Sequence, residues 1–423
     1  MRAYPLLALP LLATLACSSS SSPETDDGAF SSNQATLLNF EFDGEFVTDT
    51  AYGTDESIIE DQLLFTIGEL NGSRAVGRLD AVTLSKVTRT REGTNTRIKY
   101  HAVLPVGWGS KTSLPKSYEF HLPNDLTTKA RNAFTEKYKH DCVESGAHDV
   151  DTSSLWYYYR PSLDSCAIDE AELTTSTVKV TKSKLNTSGK YPEFDKIWED
   201  DSFNVVAVFG KYEKGTTSDV GISGYNNFIN AAKEELKAYR TETTPKSLPV
   251  SAGVANPDVE IRATLGDGRT IRINALLVDE VSTADRKFFS RYEALSTDAD
   301  LITYNGHAGL GQNVRALSAH GKFKKGKYAI VFMNGCDTFA YVDGSLADAR
   351  ARLNPDDPTG TKYLDFVTNV MPAYFSSMPT ASMALVHALA DKDSPRTYDE
   401  IFQDVAANQI VVVTGEEDNT FTP

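Results

Sequence analysis

Two rhythms of apolar positions divide this chain. Over residues 37–185 apolar and polar residues alternate, the period of a strand with one wet face. Leu38, Phe40 and Phe42 are the clearest case, and further strands are predicted over Leu63–Ile67, Val76–Val87 and Tyr118–Leu122. Arg97–Val106 follows the turn Glu92-Gly93-Thr94-Asn95, which predicts a hairpin. One helix is predicted at Thr127–Tyr138, capped by Asn124 or Asp125. The expectation is a β-rich α+β domain. Residues 186–200, with Ser188, Gly189 and Pro192, read as a linker.

From residue 201 the grammar changes. Asn204–Phe209 is an unbroken apolar run, the mark of a strand buried on both faces. A helix is predicted at Tyr225–Arg240. A hairpin follows, with Val259–Leu265 and Thr270–Val278 around Asp267-Gly268. Another helix begins near Ser282 and carries Phe288, Phe289, Tyr292 and Leu295. Strands are predicted at Leu301–Asn305, Tyr328–Met333, Val367–Phe375 and Gln409–Val413, with helices at Thr380–Ala390 and Tyr398–Ala407. Such alternation implies an α/β domain over 201–423, a mainly parallel sheet with helices on both faces. Residues 343–362 are charged, hold Pro355, Pro358 and Gly360, and predict an exposed loop.

Composition narrows the function. The 423 residues carry 42 Lys and Arg against 58 Asp and Glu, a net charge of −16. No basic excess exists to neutralise phosphates, which argues against nucleic acid as a partner. The four cysteines say more. Residues 1–16, MRAYPLLALPLLATLA, place Arg2 ahead of an apolar run too short to span a bilayer. With Cys17 and SSSSSPETDDG after it, Thr14-Leu15-Ala16-Cys17 resembles the lipobox of bacterial lipoproteins. The resemblance implies removal of a signal peptide, 1–16, and acylation of Cys17. Residues 17–36 would then be a flexible tether to a lipid anchor in a bacterial membrane. Ser18 resembles the sorting signal for the outer membrane. The expected location is therefore extracytoplasmic. There Cys142 and Cys166 most simply form a disulfide. The rival is a zinc site using His140 and His148 with the same two cysteines. The string Trp156-Tyr157-Tyr158-Tyr159 between the cysteines reads as a platform for glycan or peptide, or, more often for such residues, as packing beside the disulfide. No cofactor and no bound metal are expected.

Cys336 is then an unpaired thiol in an exported chain, which needs a reason. It follows Gly335 at the end of one predicted strand, and His307 follows Gly306 at the end of another. Ligands of open α/β sheets bind at that edge. A thiol needs a base to become a good nucleophile, and imidazole serves as one. His101 and His121 fall in predicted strands, His387 in an apolar helix as core, and His320 in an exposed basic loop. Asp337 and Asp343 read as solvated loop residues or as the wall of a pocket for a basic group.

LITYNGHAGLG (301–311) and AIVFMNGCDTFA (329–340) resemble the caspase–gingipain superfamily of cysteine peptidases, including CHAT-type domains. VMPAYFSSMPTASMALVHALAD (370–391) resembles the later strand, loop and helix of CHAT-like domains. The resemblance covers about 201–415. It implies a dyad of His307, as general acid and base, and Cys336, as nucleophile. It also implies an oxyanion hole formed by the N–H groups of Ala308 and Cys336, at a turn that includes Gly335, and a peptide or protein substrate. Ala308 stands where the family usually has glycine, and alanine resists positive φ. Relatives are activated by cleavage after the nucleophile strand, which implies autocleavage after Arg350 or Arg352. The rival function is a non-enzymatic surface lipoprotein that keeps a degenerate peptidase fold as a binding scaffold.

Overall fold

The computed structural model describes residues 28–341 and 343–423. The proposed signal peptide and Cys17 lie outside the described residues.

The N-terminal domain is β1 (Thr36–Thr48), α1 (Asp55–Asn71), β2 (Ala75–Gly77), β3 (Thr83–Glu92), β4 (Asn95–Trp108), β5 (Ser117–Pro123), α2 (Thr128–Tyr138), the single turn α3 (Leu155–Tyr158) and β6 (Leu173–Lys182). Its sheet is antiparallel, in the order β2-β4-β1-β6-β5, with β3 also paired to β4. Phe40, Phe42, Phe46, Tyr100 and Phe120 form its apolar face. α1 lies on that face and joins it through Gln62, which donates to Glu45 and Pro123 carbonyls and accepts from Tyr100 Oη at 2.8 Å.

α1 corrects the strand expected at Leu63–Ile67. Four apolar residues in a stretch of five do not distinguish strand from helix. Thr54 settles it by accepting the Ser57 N–H, and Asp55 and Glu56 favour the positive N-terminus. Ile58, Ile59, Leu63, Ile67 and Leu70 then fall on one buried stripe. Val76–Val87 also divides, into β2, a 3₁₀ turn at Leu79–Ala81 and the start of β3. α2 is capped by Thr127, not by Asn124 or Asp125.

The C-terminal domain holds α4 (Phe194–Ile197), β7 (Ser202–Gly210), α5 (Val220–Glu235), β8 (Arg240–Thr244), β9 (Asp258–Thr264), β10 (Thr270–Val278), α6 (Arg286–Ser296), β11 (Leu301–Asn305), α7 (Gln312–His320), β12 (Ala329–Asn334), α8 (Ser345–Leu353), β13 (Leu364–Asn369), α9 (Met378–Ala390), α10 (Tyr398–Ile401) and β14 (Val411–Thr414). The sheet order is β14-β13-β12-β11-β7-β10-β9-β8. β13, β12, β11, β7 and β10 run parallel, and the outer pairings, β14 with β13, β9 with β10 and β8 with β9, are antiparallel. The expected α/β class holds. The unbroken run in β7 has its reason here. Phe203, Val205, Ala207 and Phe209 pack under α5 and α9, while Val206 and Val208 pack under α6, α7 and α8.

Several boundaries move. α5 begins at Val220 and ends at Glu235, and Arg240–Thr244 is an edge strand. β13 ends at Asn369, and the chain to Ser377 is a loop. The 186–200 segment is built into the domain, with Phe194, Ile197 and Trp198 buried. Residues 343–362 contain α8, and Arg350 is fully buried, donating to the Lys327 carbonyl at 2.8 Å with Phe323 against its guanidinium. Cleavage after Arg350, or after Arg352 in the last turn of α8, would require that helix to unfold. His387 faces outward to Glu235 at 2.9 Å, because α9 turns Leu385, Val386 and Leu389 inward. His320 ends α7 and stacks on Phe289.

The two domains share one core. Phe339, Ala340, Tyr341, Val370, Ile410 and Val412 pack with the apolar face of the first sheet. The end of the expected tether joins them. Ser31 pairs with Val413 of β14, Phe30 donates to the Leu185 carbonyl, and Phe30 meets Phe339 edge-on at 5.6 Å. Among the described residues no helix is long and apolar enough to cross a membrane.

A shared core predicts coupled unfolding. Phe339→Ala is expected to cost about 3–5 kcal/mol. Urea transitions followed by fluorescence and by far-ultraviolet circular dichroism should both move, and by the same amount.

Candidate functional site

The sheet reverses its order between β7 and β11, and ligands of such sheets bind beyond the strand ends there. A cavity of about 1110 Å³ opens at that place. Its floor is the loops after β7, β11, β12 and β13, which bring Tyr212, His307, Cys336 and Phe375 to one space. The two residues expected to carry chemistry thus line one cavity.

Glycines permit this crowding. A Cβ on Gly335 would lie 2.9 Å from the Gly306 oxygen and 3.2 Å from the Ala308 nitrogen. A Cβ on Gly306 would lie 3.3 Å from the Gly210 Cα. Three adjacent strands therefore end in glycine because their tips touch. Ala308 does not strain its turn. The positive φ values fall on Gly309 (59°), Leu310 (50°) and Gly311 (86°). The Ala308 and Cys336 N–H groups donate to no described residue.

His307 packs against the rings of Tyr212 and Phe375, at 5.2 and 4.9 Å, and those two rings meet each other at 5.4 Å. Its Nε2 lies 3.1 Å from the Tyr212 carbonyl. A carbonyl only accepts, so this contact assigns the proton to Nε2 and leaves Nδ1 as the basic nitrogen. Burial lowers the pKa of His307, which keeps the ring neutral near pH 7. Tyr212 is fixed in turn by Asp219, which caps α5 through Ile222 and accepts the Tyr212 and Glu213 N–H groups.

Cys336 is half-buried and donates weakly to the Ala373 carbonyl at 3.6 Å. The two side chains of the pair share the cavity without a mutual hydrogen bond. Burial, and then the charge of Asp337, push the thiol up to about 12. The resting sulfur is therefore a thiol.

Asp337 corrects the solvated-loop reading. It is fully buried, takes a left-handed φ of 52°, and accepts from Tyr157 Oη at 2.9 Å. Asp343 instead accepts the Ser345 N–H at the start of α8.

The N-terminal domain supplies the remaining wall, through Glu144, His148, Tyr157 and Tyr158. The Cys142–Cys166 disulfide, with an S–S distance of 2.08 Å, staples that segment. It also removes the zinc alternative, since both thiolates are consumed and His140 and His148 are exposed. Of the aromatic string, Trp156 and Tyr159 are core, while Tyr157 and Tyr158 face the cavity. Sequence reasoning missed Tyr157, Tyr341 and Tyr212 as site residues. Tyr341 lines the cavity with its hydroxyl unpartnered among the described residues. The one signal for this wall was the aromatic string itself. Acids outnumber bases around the cavity, with Glu144, Glu213, Asp219, Asp279 and Glu280 against Lys211 and Lys214, and Lys211 pairs with Asp279 at 2.5 Å.

Burial pushes the Asp337 carboxyl up to about 7. A carboxyl raised on folding binds its proton more tightly in the folded state. Its favourable contribution is present below about pH 4 and lost as pH rises through about 7. Asp337→Asn should match the parent chain near pH 4 and gain relative stability as pH rises to 8, read from urea midpoints. The same variant removes the charge beside Cys336, so alkylation of the thiol at pH 8 should speed up.

No family model, curated protein or solved structure matches the chain.

Proposed function

We propose that the chain is a membrane-anchored, extracytoplasmic cysteine peptidase of the caspase–gingipain type, acting through Cys336 and His307. The observation that carries this reading is the pair of undonated N–H groups at Ala308 and Cys336. They border the cavity that also holds the thiol and a neutral imidazole. Backbone donors facing the place where charge develops are the costly part of an acyl-transfer site.

The steps follow from these groups. Cys336 Sγ bonds to the substrate carbonyl carbon as its proton passes to His307 Nδ1. The carbonyl oxygen becomes an oxyanion held by the two N–H groups. Collapse breaks the C–N bond, and His307 returns the proton to the leaving amine. Water then attacks the thioester. Its proton passes through His307 to the departing sulfur, and the acid is released. A thiol with a raised pKa fits a proton transfer that accompanies attack, not a resting thiolate.

The shielded thiol also favours a second reading, a non-enzymatic binding scaffold. The two part on reactivity. Iodoacetamide is expected to label Cys336 at pH 8 more slowly than a free thiol, and Cys336→Ala to lose both labelling and hydrolysis of denatured casein. His307→Ala should slow hydrolysis by about 10²–10⁴-fold. A folded protein that hydrolyses casein no better than its Cys336→Ala variant would falsify the peptidase reading.

The lipobox resemblance supports the anchor, and the disulfide fits an oxidising compartment. In a detergent phase separation of bacterial extracts the chain should enter the detergent phase, and Cys17→Ala should move it to the aqueous phase.

A further inference from the structure

Both donors of the proposed oxyanion hole belong to peptide groups whose carbonyls are held by buried side chains. Gly335 O accepts from Asn369 Nδ2 at 2.9 Å. His307 O accepts from Tyr304 Oη at 2.5 Å and from Asn313 Nδ2 at 2.9 Å. A trans peptide is planar, so its C=O and N–H point in opposite directions. Fixing the Gly335 carbonyl fixes the Cys336 N–H, and fixing the His307 carbonyl fixes the Ala308 N–H. We propose that Asn369 and Tyr304, the latter with Asn313, are positioning residues that aim the two oxyanion donors through the carbonyls of Gly335 and His307. This rests on the peptidase reading above.

The holders are themselves held. Asn369, Tyr304 and Asn313 are buried to 2% exposure or less. Asn369 Nδ2 also donates to Asn334 Oδ1 at 3.1 Å, and its Oδ1 accepts from Gln409 Nε2 at 2.9 Å. Its backbone N–H donates to Thr338 Oγ1 at 2.9 Å, and that hydroxyl donates to the Met333 carbonyl at 2.6 Å. The strap thus runs from the end of β13 across the loop that carries Cys336. On the other side, Asn313 Oδ1 accepts the Ser282 N–H at 2.8 Å. These amides have no remaining freedom to turn, which is what an aimed donor requires. A carbonyl needing only a partner would be satisfied by one backbone N–H or by water.

The test uses two variants of the full chain, Tyr304→Phe and Asn369→Ser. Tyr304→Phe keeps the ring in its packing and loses only the hydroxyl, so it carries the test even where Asn369→Ser fails to fold. Three readings are compared. The first is casein hydrolysis, with kcat and KM on a peptide cut from its cleavage site. The second is affinity for the matching peptide aldehyde, whose thiol adduct is tetrahedral and places its oxygen in the hole. The third is alkylation by iodoacetamide, a displacement at saturated carbon that needs no oxyanion hole. Misaiming a donor is expected to lower kcat by about 10–10²-fold with KM little changed. Aldehyde affinity should fall by the same factor, while the alkylation rate and its pH profile stay as in the parent. Equal loss in all three readings, or no loss in any, overturns the positioning role. A parent chain that is alkylated yet neither hydrolyses casein nor binds aldehyde overturns the peptidase reading first, and the positioning role with it.

Discussion

A methyl group at position 335 would collide with the carbonyl oxygen of Gly306, 2.9 Å from its carbon. The C-terminal domain is arranged around that approach. Parallel strands lie about 4.8 Å apart in the hydrogen-bonding direction, so loops leaving neighbouring tips ordinarily diverge to make room for side chains. Here Gly210, Gly306 and Gly335 let three tips stay close. The Ala308 and Cys336 peptides are thereby brought to one side of one cavity. A side chain at position 335 would separate groups whose joint use the proposed chemistry requires.

Closeness alone would leave the tips loose. Beneath them lies a buried layer of amides, formed by Asn305, Asn334 and Asn369 at the ends of three neighbouring strands, with Gln409 behind them. Asn334 donates to Asn305 Oδ1 and to the Met378 carbonyl, and accepts from Asn369 and Gln409. Asn305 also accepts from Ser382, and Gln409 from Ser377. A buried amide left without partners costs about 1–3 kcal/mol, so such a layer is tolerable only when it is complete. This one is complete apart from the distances, which reach 3.3 Å at Ser377. Its return is rigidity under the site.

The parts of this arrangement differ in how visible they are in sequence. Val205–Phe209 and Ile330–Met333 are unbroken apolar runs, so the strands were legible, and with them the tips that carry His307 and Cys336. The cysteine pair was legible because spacing and compartment favoured a bridge. The helix α1 was not, since Leu63–Ile67 is mostly apolar without alternation and its cap, Thr54, stands well upstream. Phe30 reads as part of a tether because neighbouring residues are polar, yet its ring against Phe339 and the backbone pairing of Ser31 with Val413 dock the segment. Asp337 looked solvated because a charge beside a turn usually is. Its burial depends on Tyr157, which is distant in sequence, and no local pattern announces a partner of that kind. The same holds for the amide layer: three strands ending in Asn are visible only once the register of the sheet is known.

Asp337 also explains why the N-terminal domain belongs to the site. Asp337, the residue after Cys336, is held in a left-handed conformation that costs about 1–3 kcal/mol for a side chain other than glycine. Tyr157 meets it from the other domain, and the shared core around Phe339 begins two residues later. The loop that carries Cys336 is thus gripped from two directions, by the amide layer below and by the N-terminal domain at its side. Separating the domains would release the second grip and leave the buried carboxyl without its hydroxyl partner. In the proposed reaction the nucleophile's geometry is therefore a property of both domains together, although its chemistry is written in one.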